Sequence, residues 1–143
     1  MSASSLPPGR TRFETELPVR PDDIDMNSHV HNSRYFDYVM AARFDQMARC
    51  YGMSMEAFLK EGFGWVVRTA HVEYKRPLVM GDVALVTTWV DCIHPDGVTV
   101  GFEIHKKSNG KLASDGSFHY TMVDIHTGRA AKIPDAIAAR YAV

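Results

Sequence analysis

Residues Asp25–Tyr35 read DMNSHVHNSRY, and a segment without glycine or proline follows them as far as Tyr51. Polar residues fill the first part of this stretch, whereas apolar residues recur at steps of three and four in the second part. Such periodicity is typical of an amphipathic helix. We therefore predict a polar loop that leads directly into one long helix over residues 32–51.

The predicted helix has recognisable ends and one apolar face. Asn32 or Ser33 can cap its start, and Gly52 can end it. A helix of this length spans about 30 Å and needs a large apolar partner surface, such as a curved sheet. The residues expected to face that sheet are Phe36, Val39, Met40, Phe44, Met47, Ala48 and Tyr51.

The rest of the chain reads mainly as β-strands. Alternating or β-branched sequence predicts strands at residues 12–19, 65–75, 83–91, 98–106 and 111–124, with short helices at 54–62 and 134–141. Turn signals at Pro95-Asp96-Gly97 and Asn109-Gly110 predict hairpins, and hence antiparallel neighbours. We expect a flexible arm over residues 1–11 and a single α+β domain over 12–143. One helix cannot cover both faces of a sheet, so we expect a homodimer or homotetramer.

Composition excludes several classes of function. The 143 residues carry a formal charge of −1, which gives no footprint for nucleic acid or an anionic membrane. No segment approaches the ~20 apolar residues of a membrane span. Cys50 and Cys92 form no paired motif, so we expect two small core residues in a cytoplasmic protein. No phosphate loop or GxSxG elbow occurs, and no metal or other cofactor is expected.

The polar loop contains the groups that acyl chemistry needs. An ionised carboxylate at Asp25 can attack a carbonyl or take a proton from water. Free N–H groups at the helix start, near Asn32, can stabilise an oxyanion. Asn27 can orient a water or a carboxylate, and His29 can position or exchange a proton. Each residue alone is also explained by a turn or a cap, so the joint pattern carries the hypothesis.

That pattern, D25-x-N27-x-H29-V30-x-N32-x-x-Y35, resembles the signature of the 4-hydroxybenzoyl-CoA-thioesterase-like and acyl-ACP-thioesterase-like hot-dog proteins. The stretch VEYKRPLVMGD at Val72–Asp82 resembles the strand and turn that these families place after the helix. The resemblance implies a hot-dog fold, with a long helix wrapped by a curved antiparallel sheet. It also implies active sites between subunits.

The resemblance implies a bacterial-type acyl-CoA thioesterase, with acyl-ACP as the other candidate substrate. Asp25 falls on the catalytic carboxylate, which acts either as a nucleophile or as a base, and Asn27 and His29 match further polar positions. The backbone N–H near Asn32 matches the site that polarises the thioester carbonyl. Tyr35 is expected at the substrate site and as a packing residue. The acidic residue and cysteine that acyl-ACP enzymes carry after the YKR-like stretch are absent, and the chain has a single hot-dog half.

A local basic cluster is expected to meet the phosphates of CoA or of a carrier arm, with Arg76 as its main member. The candidates are Arg34, Arg68, Lys75, Arg76, Lys106 and Lys107.

Three alternatives remain open. Hot-dog hydratases and dehydratases resemble D-x-N-P-x-H, from which this loop departs by its spacing and by Ser28. A metal site can be drawn from His29 and His31 with Asp22, Asp23 and Asp25, although H-x-H is a weak motif. A non-catalytic acyl-thioester-binding protein is the third alternative.

Overall fold

A computed structural model describes residues 10–143 of the chain. Its elements are β1 (Phe13–Pro18), α1 (Tyr35–Arg49), α2 (Met55–Lys60), β2 (Phe63–Tyr74), β3 (Val83–His94), β4 (Gly97–Lys106), β5 (Leu112–Asp124) and α3 (Asp135–Tyr141). Single 3₁₀ turns at Pro21–Asp23 and Asn32–Arg34 flank the polar loop. Residues 1–9 of the predicted arm lie outside the described residues. No helix within 10–143 is long and apolar enough to cross a membrane.

The five strands form one antiparallel sheet in the order β1-β3-β4-β5-β2. The hairpins predicted at Pro95–Gly97 and Asn109-Gly110 join β3 to β4 and β4 to β5. Register shifts interrupt three of the four strand pairs, and such bulges bend a strand and increase its twist. One long helix beside one antiparallel sheet is the predicted α+β architecture.

The helix α1 packs over the β1 and β3 side of the sheet. Val39 and Ala42 are completely buried there. Gln46 is also completely buried, and its amide donates to Phe13 O at 3.2 Å and to Thr15 Oγ1 at 3.1 Å, while its oxygen accepts from Thr88. A buried amide is tolerated only when its hydrogen bonds are made, so this network fixes the rotation of α1 against the sheet.

The prediction of which helix residues face the sheet is wrong in part. Phe44 is 48% exposed and Ala48 is exposed, whereas Arg43 and Gln46 are buried. The helix is rotated so that polar Gln46 meets the sheet and Phe44 points away from it. The physical reason is that Gln46 finds partners on β1 and β3, which hydrophobic periodicity does not register.

One helix end and one cysteine differ from expectation, whereas one predicted helix cap is confirmed. The helix α1 ends at Arg49 rather than at Gly52, which instead adopts a left-handed φ of 74° in the following loop. At α2 the predicted Ser54 cap is confirmed, because Ser54 Oγ accepts from Ala57 N–H at 3.2 Å. Cys50 is half-buried, but Cys92 is exposed, so its assignment to the core is wrong.

Candidate active site

The loop before α1 is a tight turn closed by its own backbone. Asp25 N–H donates to His29 O at 2.8 Å, and Ser28 N–H donates to Asp25 O at 3.1 Å. Ser28 has a φ of 65°, the single positive value among non-glycine residues in 10–143. Left-handed backbone costs an ordinary side chain energy, so it persists where the surrounding bonds impose it. The turn therefore holds a fixed shape.

Both ends of the turn are attached to the rest of the fold. Val30 N–H donates to Leu78 O at 2.8 Å, and isolated bridges join His29 to Val79 and Ile24 to Val30. The segment between β2 and β3 thus forms one wall beside the turn. This contact brings together the two family-like motifs, Asp25–Tyr35 and Val72–Asp82, although they are far apart in sequence.

A buried hydrogen bond connects the loop to α1. Tyr38 Oη donates to Asp23 Oδ2 at 2.7 Å, and Asp23 is only 5% exposed. Burial, together with the bond to Asp23, raises the pKa of Tyr38 to about 12. Arg20 and Arg34 each approach the Asp23 carboxylate, at 3.7 and 3.6 Å. The Asp23 carboxylate therefore has both a hydrogen-bond donor and cationic partners, and it holds the loop against the second turn of α1.

The two oxygens of the Asp25 carboxylate have different surroundings. Oδ1 accepts from Asn27 N–H at 2.9 Å and from His29 N–H at 3.2 Å. Oδ2 accepts no hydrogen bond from any side chain or backbone group in residues 10–143. One oxygen orients the carboxylate, and the other is available to a ligand or to water.

The helix start presents a free backbone donor. Asn32 N–H has no acceptor within residues 10–143, whereas Ser33 N–H donates to His31 Nδ1 at 3.2 Å and Arg34 N–H donates to His31 O at 2.9 Å. The cap is therefore His31, and the predicted caps Asn32 and Ser33 are wrong. His31 takes this role because its ring reaches back over the 3₁₀ turn. Asn32 is an exposed residue, and its unbonded N–H lies at the start of the 3₁₀ turn that leads into α1.

All six predicted site residues line one cavity. It encloses about 840 Å³ of empty space, counting the solvent at its open mouth. Its walls include Asp25, Asn27, His29, Asn32, Tyr35 and Arg76, together with His31, Tyr74 and Lys75. Asp25, which carries the free carboxylate oxygen, and Asn32, which carries the free N–H, therefore line the same cavity. The side chains of Asn27 and His29 are exposed beside them.

Two tyrosines build the inner wall of the cavity. Tyr35 is 2% exposed, and its hydroxyl accepts from Leu78 N–H at 3.0 Å. Burial raises the pKa of Tyr35, so the hydroxyl stays neutral. Its ring meets Tyr74 edge-on at 5.1 Å, and Tyr74 Oη donates to Asn32 O at 3.0 Å. Tyr35 thus packs as expected, and it also supports the cavity floor.

The six predicted basic residues do not form one cluster. Lys75 and Arg76 alone border the cavity. Arg76 Nη1 donates to Leu112 O at 3.0 Å, and Lys75 Nζ donates to Glu73 at 2.8 Å. Lys106 is bonded to Pro77 O and paired with Asp82, so it stabilises the turn beneath the site. The predicted convergence is therefore limited to two residues.

The remaining predicted cations are placed elsewhere. Lys107 pairs with Glu16, Arg34 pairs with Asp37, and Arg68 is exposed on β2. No group of three or more His, Cys, Asp or Glu side chains in residues 10–143 is arranged to hold a metal ion.

Two structural features that hold the site in place were not predicted from the sequence. Asp23 and Tyr38 were not predicted as a pair, although a tyrosine one turn into the helix beside an acidic turn is a usable signal. Asp82 accepts from Val79 N–H at 2.9 Å, beside Gly81 at a φ of 90°. The Gly81-Asp82 pair therefore shapes the wall, which the motif alone did not reveal.

Comparison with known proteins identifies relatives over most of the chain. The long-chain acyl-CoA thioesterase FadM of Escherichia coli is 23% identical over 118 residues, which cover 82% of this chain and 88% of that one. A DHNA-CoA thioesterase from Staphylococcus aureus superposes with a TM-score of 0.83 at 23% identity and covers 90% of this chain and 87% of that chain. The hypothetical protein SAV2348 of Staphylococcus aureus, solved in complex with CoA, gives 0.82 at 21% identity, with 92% and 82% covered.

The solved structures confirm the predicted hot-dog fold. The family model of the thioesterase-like superfamily matches residues 19–141, which include the loop, the helix and every strand of the sheet except β1. The prediction of a thioesterase-type enzyme is thereby confirmed, and the chain belongs to the thioesterase-like superfamily.

Proposed function

We propose that this protein hydrolyses an acyl-CoA thioester to a free acid and CoA, with Asp25 as the essential carboxylate. The observation that carries the proposal is that Asp25, whose Oδ2 is free, and Asn32, whose N–H is free, line one cavity. A thioester carbonyl held by the Asn32 N–H places its carbon within the same space as the carboxylate. One such donor typically stabilises the transition state by about 3 kcal/mol.

Two routes satisfy the chemistry. In the first, Asp25 Oδ2 attacks the carbonyl carbon, the C–S bond breaks, CoA leaves as a thiolate that gains a proton, and water then opens the anhydride. In the second, Oδ2 takes a proton from a water that attacks the same carbon, the C–S bond then breaks, and CoA leaves as a thiolate that gains a proton. Hydroxylamine present during turnover captures an anhydride as an Asp25 hydroxamate, detectable by mass spectrometry. Normal turnover without any hydroxamate supports water activation.

The test of the proposal is the variant Asp25→Asn. The amide keeps the size of the side chain and an oxygen that can accept from the backbone, but it removes the charge. We expect kcat/KM with an acyl-CoA to fall at least about 100-fold, with the thermal midpoint nearly unchanged. Asp22→Asn is the matched control, because Asp22 is an exposed acid three residues earlier that pairs with Arg20. Unchanged kcat/KM in Asp25→Asn rejects the proposal.

CoA, rather than a bare pantetheine thioester, is the proposed form of the thiol. Lys75 and Arg76 stand at the cavity with exposed side chains, and cations there can pair with phosphates. Arg76→Met should raise KM for an acyl-CoA and leave KM for the acyl-pantetheine unchanged. Lys107→Met, which removes a cation paired with Glu16, is the control. Equal effects of Arg76→Met on both substrates contradict phosphate binding. The relatives named for CoA thioesters, and the CoA complex of SAV2348, support this choice.

We further propose that the chain acts as a homodimer assembled along β2. This strand is one of the two edge strands of the sheet, β1 being the other, and residues 68–71 are exposed at four successive positions, so neither face is covered there. Val66 on the same strand is 37% exposed, and Phe44 on α1 is 48% exposed. Long open edges with apolar neighbours favour pairing with a second chain. Val66→Glu should shift the mass measured by light scattering towards the monomer, whereas Leu59→Glu, on an exposed position of α2, should not.

A further inference from the structure

His31 lies one residue before the free backbone N–H of the candidate site. Its side chain lines the same cavity as Asp25 and Asn32. The imidazole Nδ1 accepts from Ser33 N–H at 3.2 Å, and Ser33 Oγ lies 2.8 Å from the same nitrogen. The imidazole of His31 therefore reaches across the residue that carries the free donor and bonds to the backbone on its other side.

The bond between Ser33 N–H and His31 Nδ1 closes a hydrogen-bonded ring. The peptide group between His31 and Asn32 is part of that ring, so its rotation is restricted while the bond is made. The carbonyl of this peptide, His31 O, also accepts from Arg34 N–H at 2.9 Å. The N–H of the same peptide is the Asn32 donor, which has no acceptor within residues 10–143. A peptide whose carbonyl accepts a hydrogen bond is polarised, and its N–H becomes a stronger donor.

The next peptide, between Asn32 and Ser33, is held at both of its polar groups. Its N–H is the one that His31 accepts, and its carbonyl accepts from Tyr74 Oη at 3.0 Å and from Tyr35 N–H. Three of the four polar groups in these two peptides are thus bonded, and the Asn32 N–H is the free one. The imidazole of His31 is one of the groups that hold this segment in place.

The cap also defines where the imidazole carries its proton. A backbone N–H can only donate, so Nδ1 offers its lone pair to Ser33, and the neutral imidazole is then protonated at Nε2. A second proton, at Nδ1, leaves no lone pair for Ser33 N–H and opens the hydrogen-bonded ring. His31 is exposed, so protons from the solvent reach it.

Other titratable and charged groups face His31 from the neighbouring elements. Those that line the two hollows beside it are Asp22, Asp23, Asp25, His29, Arg34, Tyr35, Tyr74, Lys75 and Arg76. All of them are retained when His31 alone is substituted. A difference in pH dependence between wild type and such a variant therefore reports on His31.

We infer that His31 is a positioning residue: with Nδ1 unprotonated, its imidazole fixes the peptide that carries the Asn32 N–H. The consequence for catalysis rests on the proposed function, in which this N–H donates to the thioester oxygen. Donors to an oxyanion are effective because their direction is set before the reaction starts. Loss of the cap therefore affects the transition state more than substrate binding, so kcat falls while KM changes little.

Three substitutions at His31 separate the capping bond from the imidazole itself. Asparagine carries its acceptor oxygen on Cγ, the atom that carries Nδ1 in histidine, and it is among the best capping residues. Glutamine carries the same amide one carbon further out, and alanine has no acceptor. We expect kcat with an acyl-CoA to stay within about threefold of wild type in His31→Asn. In His31→Gln and His31→Ala, kcat should fall about 10- to 100-fold, with KM within about threefold.

Two kinetic results contradict the positioning role. Wild-type kcat in His31→Ala, beside an inactive Asp25→Asn, overturns the inference and leaves the proposed function standing. Equal losses of kcat in His31→Asn and His31→Ala overturn it as well, because the capping bond is then not the cause.

Ser54→Ala is the matched control for a lost cap. Ser54 Oγ accepts from Ala57 N–H at 3.2 Å, so a bond of the same kind and length is removed at the start of α2. Ser54→Ala should lower the thermal midpoint as His31→Ala does, but it should leave kcat at the wild-type value. Equal losses of kcat in the two variants assign the effect to general destabilisation and overturn the inference.

The pH profile of kcat is the second readout, and destabilisation alone does not produce the expected pattern. In wild type, kcat should fall on the acid side as Nδ1 gains a proton and the cap opens. Asparagine does not titrate, so His31→Asn should keep its activity to lower pH, where the groups common to both proteins limit it. Acid limbs that superimpose in wild type and His31→Asn overturn the inference.

A measurement without substrate makes the test independent of turnover. The order parameter of the Asn32 N–H, from ¹⁵N relaxation, should be near the rigid value of about 0.85 in wild type and His31→Asn and fall towards about 0.6 in His31→Ala. An equally rigid Asn32 N–H in His31→Ala overturns the inference. Absence of hydrolysis by wild type, or full turnover in Asp25→Asn, rejects the proposed function instead, and the order parameters then decide the role of His31.

Discussion

The substitution Tyr38→Phe tests the attachment of the site loop to the helix. Tyr38 Oη donates to the buried carboxylate of Asp23 at 2.7 Å and accepts from Arg20 N–H at 3.2 Å. Loss of a bond to a charged group costs about 1.5–3 kcal/mol, and loss of a neutral bond costs about 0.5–1.5 kcal/mol. Because both hydrogen bonds are made by one hydroxyl, we expect Tyr38→Phe to lower the free energy of unfolding by about 2–4 kcal/mol. At roughly 3 °C per kcal/mol, the thermal midpoint should fall by about 6–12 °C.

The assay is thermal unfolding by circular dichroism at one fixed protein concentration, since the midpoint of an associating protein depends on concentration. Tyr120→Phe is the matched control, because that hydroxyl donates only to the weak sulfur acceptor of Met40, at 3.3 Å. We also expect Tyr38→Phe to lower kcat/KM, because the loop that carries Asp25 loses its anchor. Equal midpoints for the two variants, or full activity in Tyr38→Phe, would refute the reasoning.

Two further predictions concern the sheet and the buried tyrosines. Gly101→Ala should destabilise the fold by about 1–3 kcal/mol in urea unfolding, because the new Cβ would clash with the ring of Trp89. Burial raises the pKa of Tyr120 and of Tyr141 from 10.0 to about 12, so both should ionise late in an absorbance titration. Because the raised pKa belongs to the folded state, their contribution to stability is complete below pH 10 and is lost as pH rises towards 12.

The predictable part of the site is the part that is local in sequence. Asp25 and His29 lie in one turn, and the backbone bonds between them follow from their spacing. A short polar stretch before a long periodic segment also indicates roughly where the helix begins, although α1 starts at Tyr35, after a 3₁₀ turn over Asn32–Arg34, and not at residue 32. The free N–H of Asn32 lies at the start of that turn. The hairpins could be predicted for the same reason, since glycine-containing turns act over a few residues.

The features that were not predicted depend on contacts between residues that are distant in sequence. Gln46 bonds to Thr88, which is 42 residues away, and that bond decides which face of the helix is buried. A hydrophobic pattern treats glutamine as a surface residue, so it predicted a burial of Phe44 that does not occur. The burial of Arg43 was not predicted for the same reason, because no pattern in the residues next to it in the sequence indicates a buried cation. Sequence patterns thus located the polar loop that lines the candidate site and missed the buried side chains of Gln46 and Arg43.

The two oxygens of Asp25 have different surroundings, and this difference determines which substitution can separate a loss of chemistry from a loss of loop structure. Oδ1 holds Asn27 N–H and His29 N–H, so it maintains the turn, whereas Oδ2 is free. Asp25→Ala removes both oxygens, and any loss of activity then mixes a collapsed turn with a missing carboxylate. Asp25→Asn retains an acceptor for the two N–H groups and removes only the charge. A variant that unfolds like wild type and does not turn over therefore assigns the loss to chemistry rather than to loop structure.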